Sequence, residues 1–102
     1  MAFTGNEAEK FPLDTAAAWT ANYRKSNPNG IKAHFFGKNI INEILAQPGC
    51  VGIRCYYAMD EKGIQQMIMV GADKDENDLY TGIIAEVSRP CPPYCPNGSP
   101  LI

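Results

Sequence analysis

The segment Cys91-Pro92-Pro93-Tyr94-Cys95 holds the residue types and spacing that point most directly to chemistry. Two thiols with three residues between them can close a disulfide or share a soft metal ion, provided the prolines form a turn, a cis bond included. The spacing departs from the thioredoxin type, where two intervening residues at a helix start lower one thiol's pKa. Proline at both positions after Cys91 also removes two backbone donors that would stabilise a thiolate. A structural pair, packed or locally bonded, therefore outweighs a metal site, and a metal site outweighs redox chemistry.

Zinc takes four ligands in tetrahedral geometry, and beyond Cys91 and Cys95 the chain offers Cys50, Cys55 and His34. Cys50 and Cys55 are five apart, so on one continuous strand they point to opposite faces and do not share a site. A zinc centre built on Cys91 and Cys95 with His34 and one further cysteine matches no recognised spacing, and a lone histidine is more often a satisfied polar residue. Asp73, Asp75 and Asn77 start like a calcium loop. The pattern then fails, because Asp78 occupies the place of the turn glycine and Ile84 that of the bidentate acid. A solvated acidic turn is the better reading. With a single histidine, and with Gly37-Lys38-Asn39 lacking the rest of a phosphate loop, no catalytic residues are assigned and an enzyme is not expected.

Several elements must position these residues. Pro12, Leu13, Asp14 and the alanines at 16 to 18 start a helix over about 13–25, proline suiting a first turn and the acid complementing the helix dipole. Ala16, Trp19 and Tyr23 make a narrow face on it that is expected to bury. Ser26-Asn27-Pro28-Asn29-Gly30 stops it. Ile31 to Phe36 is ambiguous. Gly37 then suits an N-cap, and Ile40, Ile41, Ile44 and Leu45 repeat as a buried stripe, predicting a second helix over about 38–47 that Pro48-Gly49 ends. From Val51 the period changes to two, with Val51, Ile53, Cys55, Tyr57 and Met59 on one side, expected to be buried.

That strand, 51–59, continues through the turn Asp60-Glu61-Lys62-Gly63 into a second over 64–71, Gly63 being free to turn left-handed. Ile83, Ala85 and Val87 suggest a short third strand over about 82–87. Prolines at 90, 92, 93, 96 and 100 make the tail irregular. The expected fold is α+β, two helices packed on a small antiparallel sheet. Residues 1–12 form an N-terminal arm, 13–89 one domain and 90–102 the Cys/Pro-rich tail.

A chain of 102 residues suffices for one core. A hydrophobic fraction of 45% and a charged fraction of 20% fit a folded domain. A net charge of -2 without any basic run argues against nucleic acid as a partner. No apolar run approaches the length of a bilayer span, and the opening MAFTGNEAEK is polar and acidic where a signal peptide is basic and then apolar. A cytoplasmic protein with no membrane partner is the expectation, its cysteines free, metal-bound or redox-active. Trp19, Tyr23 and Tyr56 are candidates to line an interface, weighed against an aromatic core.

Trp19-Thr20-Ala21-Asn22-Tyr23-Arg24, Phe35-Phe36-Gly37, Gly52-Ile53-Arg54 and the Cys91–Cys95 segment follow one another in an order that resembles a family of short uncharacterised bacterial proteins. The resemblance spans roughly Leu13 to Cys95 and implies a bacterial family without supplying an activity, ligand or catalytic residue. The function expected is thus a non-enzymatic interaction or structural module that self-associates through the hairpin edge or the aromatic surface. The alternative is a thiol-based metal-binding or redox protein using Cys91 and Cys95, with zinc as its cofactor.

Overall fold

Asp60-Glu61-Lys62-Gly63 folds as its residues require. Gly63 takes φ +79°, its N–H donates to Asp60 O at 3.0 Å, and Asp60 N–H donates to Ile64 O at 2.9 Å. The Asp60 carboxylate closes the turn from inside, with Oδ1 accepting the N–H groups of Lys62 and Ile64 at 2.9 and 3.0 Å. Around this hairpin the computed structural model describes residues 2–102. Its elements are α1 (Leu13–Ser26), β1 (Ala33–Phe35), α2 (Lys38–Leu45), β2 (Gly52–Met59), β3 (Gln65–Ala72), β4 (Ile84–Ala85) and β5 (Arg89–Cys91). Helices and antiparallel sheet occur together, so the class is α+β. No helix among the described residues is long and apolar enough to cross a membrane.

The described chain folds as two compact units, residues 2–8 with 36–88 and residues 9–35 with 89–102. In the first, β2, β3 and β4 form an antiparallel sheet in that order, with Ile53 opposite Gly71, Cys55 opposite Met69 and Tyr57 opposite Met67. The arm up to Ala8 belongs to this unit, and Phe3 N–H donates to Lys74 O at 2.8 Å. Its core is built on Ile44, Met69 and Ala85, with Phe36, Ile40, Ile41, Ile53 and Ile83 packed around them.

α2 sits on one end of the sheet. Gly71 permits this approach, since a Cβ there would stand 2.9 Å from Cys50 Sγ and 3.3 Å from Ile44 Cγ2. The helix stops at Leu45, two residues before its expected end, where Gln47 turns back to donate from Nε2 to Ile44 O at 2.9 Å. Its Oε1 accepts the Ile83 N–H at 2.9 Å, so one side chain ties the helix end to the start of β4. β4 is shorter than the expected 82–87 because Val87 takes φ +62°, which an extended strand does not accommodate.

In the second unit, β1 pairs antiparallel with β5, Ala33 opposite Cys91 and Phe35 opposite Arg89. Lys32 N–H extends the pairing to Cys91 O at 2.6 Å. The expected irregular tail therefore begins as a strand, and Pro90 is accommodated because a two-stranded sheet consists of edges only. α1 matches its expected start and carries Asp14 in its first turn and Arg24 and Lys25 in its last. Its aromatic face corrects the expectation of burial: Trp19 is 61% exposed and the helix contains no buried residue. Trp19 packs instead on Phe11, the ring centroids 4.7 Å apart.

Candidate functional site

On β2, Arg54 and Tyr56 are two apart and so project from one face of the sheet. Asp78, from the turn after β3, lies across from both: Arg54 Nη1 donates to Oδ1 at 2.5 Å and Tyr56 Oη donates to Oδ2 at 2.5 Å. Arg54 also donates to Glu76 O at 3.3 Å, and its guanidinium stands 5.4 Å from the centre of the Phe3 ring. The Tyr56 hydroxyl, and then Arg54, hold the Asp78 carboxyl below its ordinary pKa. Asp78 in turn raises both the Arg54 guanidinium and the Tyr56 phenol. Every member stays in its usual charge state at neutral pH, and with both Asp78 carboxylate oxygens occupied the cluster is a clamp between strand, turn and arm.

Beside the clamp, a cleft of about 480 Å³ runs between the arm (Phe3, Gly5, Glu7) and Val51, Arg54 and Cys55. Glu7 is committed to the arm itself, its carboxylate accepting the N–H groups of Thr4 and Gly5 at 2.8 and 2.9 Å. The Thr4 N–H is the main cause of its lowered pKa.

The opposite face of β2 is divided. An eight-residue helix is about 12 Å long. An eight-residue strand extends about 26 Å. α2 therefore covers the Ile53–Gly71 end and leaves the hairpin end bare. The expectation that Cys55, Tyr57 and Met59 share a buried side is corrected here: Tyr57 is 84% and Met59 71% exposed, and Cys55 is an exposed free thiol. Among the described residues β2 is also an edge strand of its sheet, paired with β3 on one side only. It has neither lysine nor proline, and its one charge, Arg54, is engaged with Asp78.

In the second unit, Cys91 and Cys95 form a disulfide. The bonds Cys91–Pro92 and Pro92–Pro93 are both cis, and Tyr94 N–H closes the turn onto Pro90 O at 2.9 Å. The two sulfur-bearing residues differ sharply in access, Cys91 being 2% exposed and Cys95 open to solvent. A cleft of about 640 Å³ opens beside them, lined by His34, Phe35, Arg89, Tyr94 and Pro96 together with both cysteines. The Arg89 guanidinium stands 5.8 Å from the Tyr94 ring centre. Burial lowers the His34 pKa, so its imidazole is neutral at pH 7.

Among the residues singled out from sequence, Cys91, Cys95 and His34 thus line one cleft. In the bonded state neither sulfur is a thiolate, so a metal reading applies to the reduced pair alone. Among the described residues no group of three or more His, Cys, Asp or Glu is placed to hold a metal ion. Trp19 and Tyr23 are both exposed in the second unit, whereas Tyr56 belongs to the Asp78 clamp of the first. Cys50 packs beside the first unit's core, its Sγ donating to Gly52 O at 3.2 Å. Asp73 turns its Oδ1 inward to accept the N–H groups of Asp75 and Asn77 at 2.9 and 3.0 Å. Sequence reasoning missed the exposure of Tyr57 and Met59; the available signal was the length of α2 against that of the strand it covers.

No family model, curated protein or solved structure matches this chain.

Proposed function

We propose that this protein is a small non-enzymatic interaction module that self-associates through β2. The observation that carries the reading is the position of β2: an eight-residue edge strand whose hairpin end presents Tyr57 and Met59 to solvent. A second copy is the natural occupant. Two β2 edges related by a two-fold axis pair antiparallel, extend each three-stranded sheet into the other, and bring the two Tyr57–Met59 surfaces onto one face. The arm runs beside Val51, so pairing uses the Tyr56–Met59 half of the strand. A cytoplasmic location, no cofactor and no nucleic-acid or membrane partner complete the proposal, resting on composition and charge.

Mass in solution by light scattering tests it. The native chain is expected to elute as a dimer, and Tyr57→Lys as a monomer with an unchanged circular dichroism spectrum and melting temperature. A native chain that stays monomeric at every concentration reached sinks the proposal.

A further inference from the structure

The asymmetry of the disulfide has a use outside any role of β2. We propose that Cys91–Cys95 is an exchangeable disulfide that accepts two electrons from a partner dithiol, with Cys95 as the sulfur attacked and the His34 cleft as the partner's seat.

An incoming thiolate must approach one sulfur along the line of the S–S bond. Cys91, at 2% exposure, is closed to it, and Cys95 faces solvent. Attack at Cys95 Sγ forms a mixed disulfide between the partner and Cys95 and breaks the Cys91–Cys95 bond, whose electron pair passes to Cys91 Sγ. A buried sulfur is a poor thiolate, so Cys91 must leave as a thiol and needs a proton. The incoming thiol has one to lose. Among the side chains lining the cleft, His34 supplies an imidazole, the side chain suited to proton exchange near neutral pH. His34 starts neutral and so takes the incoming proton and passes it to Cys91. The partner's second thiol, losing its proton, then attacks its own sulfur in the mixed disulfide and releases Cys95, which takes up that proton from solvent. The balance is one partner disulfide formed, one protein disulfide reduced to two thiols.

The cleft also restricts the partner. Phe35, Tyr94 and Pro96 are apolar surfaces beside the attacked sulfur, and Arg89 adds a positive charge at the rim. This suits a dithiol carried on an extended, apolar peptide segment with an acidic flank better than a small free thiol.

Glutathione and a synthetic peptide of that description, holding two cysteines, are the probes, and peptide mapping after an acid quench locates the adduct. In the native protein the peptide dithiol is expected to open the disulfide at least tenfold faster than glutathione at equal thiol concentration. In Cys91→Ser, oxidised glutathione is expected to exchange with the Cys95 thiol, leaving a mixed disulfide on Cys95 and releasing one reduced glutathione. In Cys95→Ser the same exchange of oxidised glutathione with Cys91 should run at least tenfold more slowly, the two variants becoming equal in denaturant. His34→Asn should slow opening of the native disulfide without changing the reactivity of the free thiol in Cys91→Ser. A native disulfide that resists both probes while the protein stays folded overturns the proposal, as does a first adduct on Cys91. The native-protein arm needs no variant to fold.

Discussion

Arg54 and Asp78 are separated by 24 residues in sequence and by 2.5 Å between Nη1 and Oδ1. The pair fixes the turn after β3 against the face of β2, and the sign of its pH dependence follows from Asp78. Its folded pKa lies below the unfolded value of about 3.9. The stabilisation is therefore complete above that value and is lost as pH falls through the folded one. Urea midpoints measured from about pH 6 down to about pH 2 should decline. Asp78→Asn should lower the midpoint at neutral pH and flatten part of the acid limb. Asp60, also lowered, chiefly by the Ile64 N–H and then by Gln66, should supply much of the remaining slope.

His34 adds a separate limb at higher pH. Burial lowers its folded pKa below the unfolded value of about 6.5, so between the two values the unfolded chain binds more protons. Stability should fall as pH drops below about 6.5. The decline should disappear in His34→Asn, read by thermal melting over the same range.

Gly71→Ala should destabilise by about 1–3 kcal/mol through overpacking. The added methyl would meet Gln47 Nε2 at 3.0 Å and Cys50 Sγ at 2.9 Å. Gln47 is not free to move aside, because both ends of its amide are hydrogen-bonded, to Ile44 O and to Ile83 N–H. Ile44→Ala, at a fully buried position, should lose about 2–5 kcal/mol. Chemical denaturation checks both, and a neutral Gly71→Ala would mean that α2 stands farther from β3 than described.

Reduction of Cys91–Cys95 opens a very short loop, for which chain entropy gives about 2 kcal/mol of stabilisation. Hydrogen exchange should report the loss locally. The Lys32 amide, bonded to Cys91 O, should lose protection on reduction while the β2–β3 amides of the other unit keep theirs. Equal loss across both sets would contradict a local role.

The hairpin was legible because its instructions are local: alternation through Ile53, Cys55 and Tyr57, and an Asp60–Gly63 turn that needs one left-handed glycine. The start of each helix was legible for the same reason, through Pro12 and Gly37. The pairing of Ala33 with Cys91 was not, since three-residue strands leave too little periodicity to read and their partners lie far apart in the chain. Periodicity also says which residues share a face without saying how much of that face is covered. Trp19 and Tyr57 fit their patterns and are nevertheless exposed. At the candidate sites, the link between Cys91 and Cys95 was one of several readings open from spacing, while the inequality of the two sulfurs depends on β5 burying one of them.

The interleaving of the two units along the sequence sets which residues each needs before it can fold. Residues 36–88 contain every strand of the first sheet, so that sheet can close without any residue after Ser88. β1, although it precedes that sheet in the chain, finds its strand partner only in Arg89–Cys91. A chain cut before Arg89 would thus keep every strand of the first sheet but leave α1 with an unpaired β1, and the Cys–Pro segment serves as the last stitch of a seam begun at Ala33.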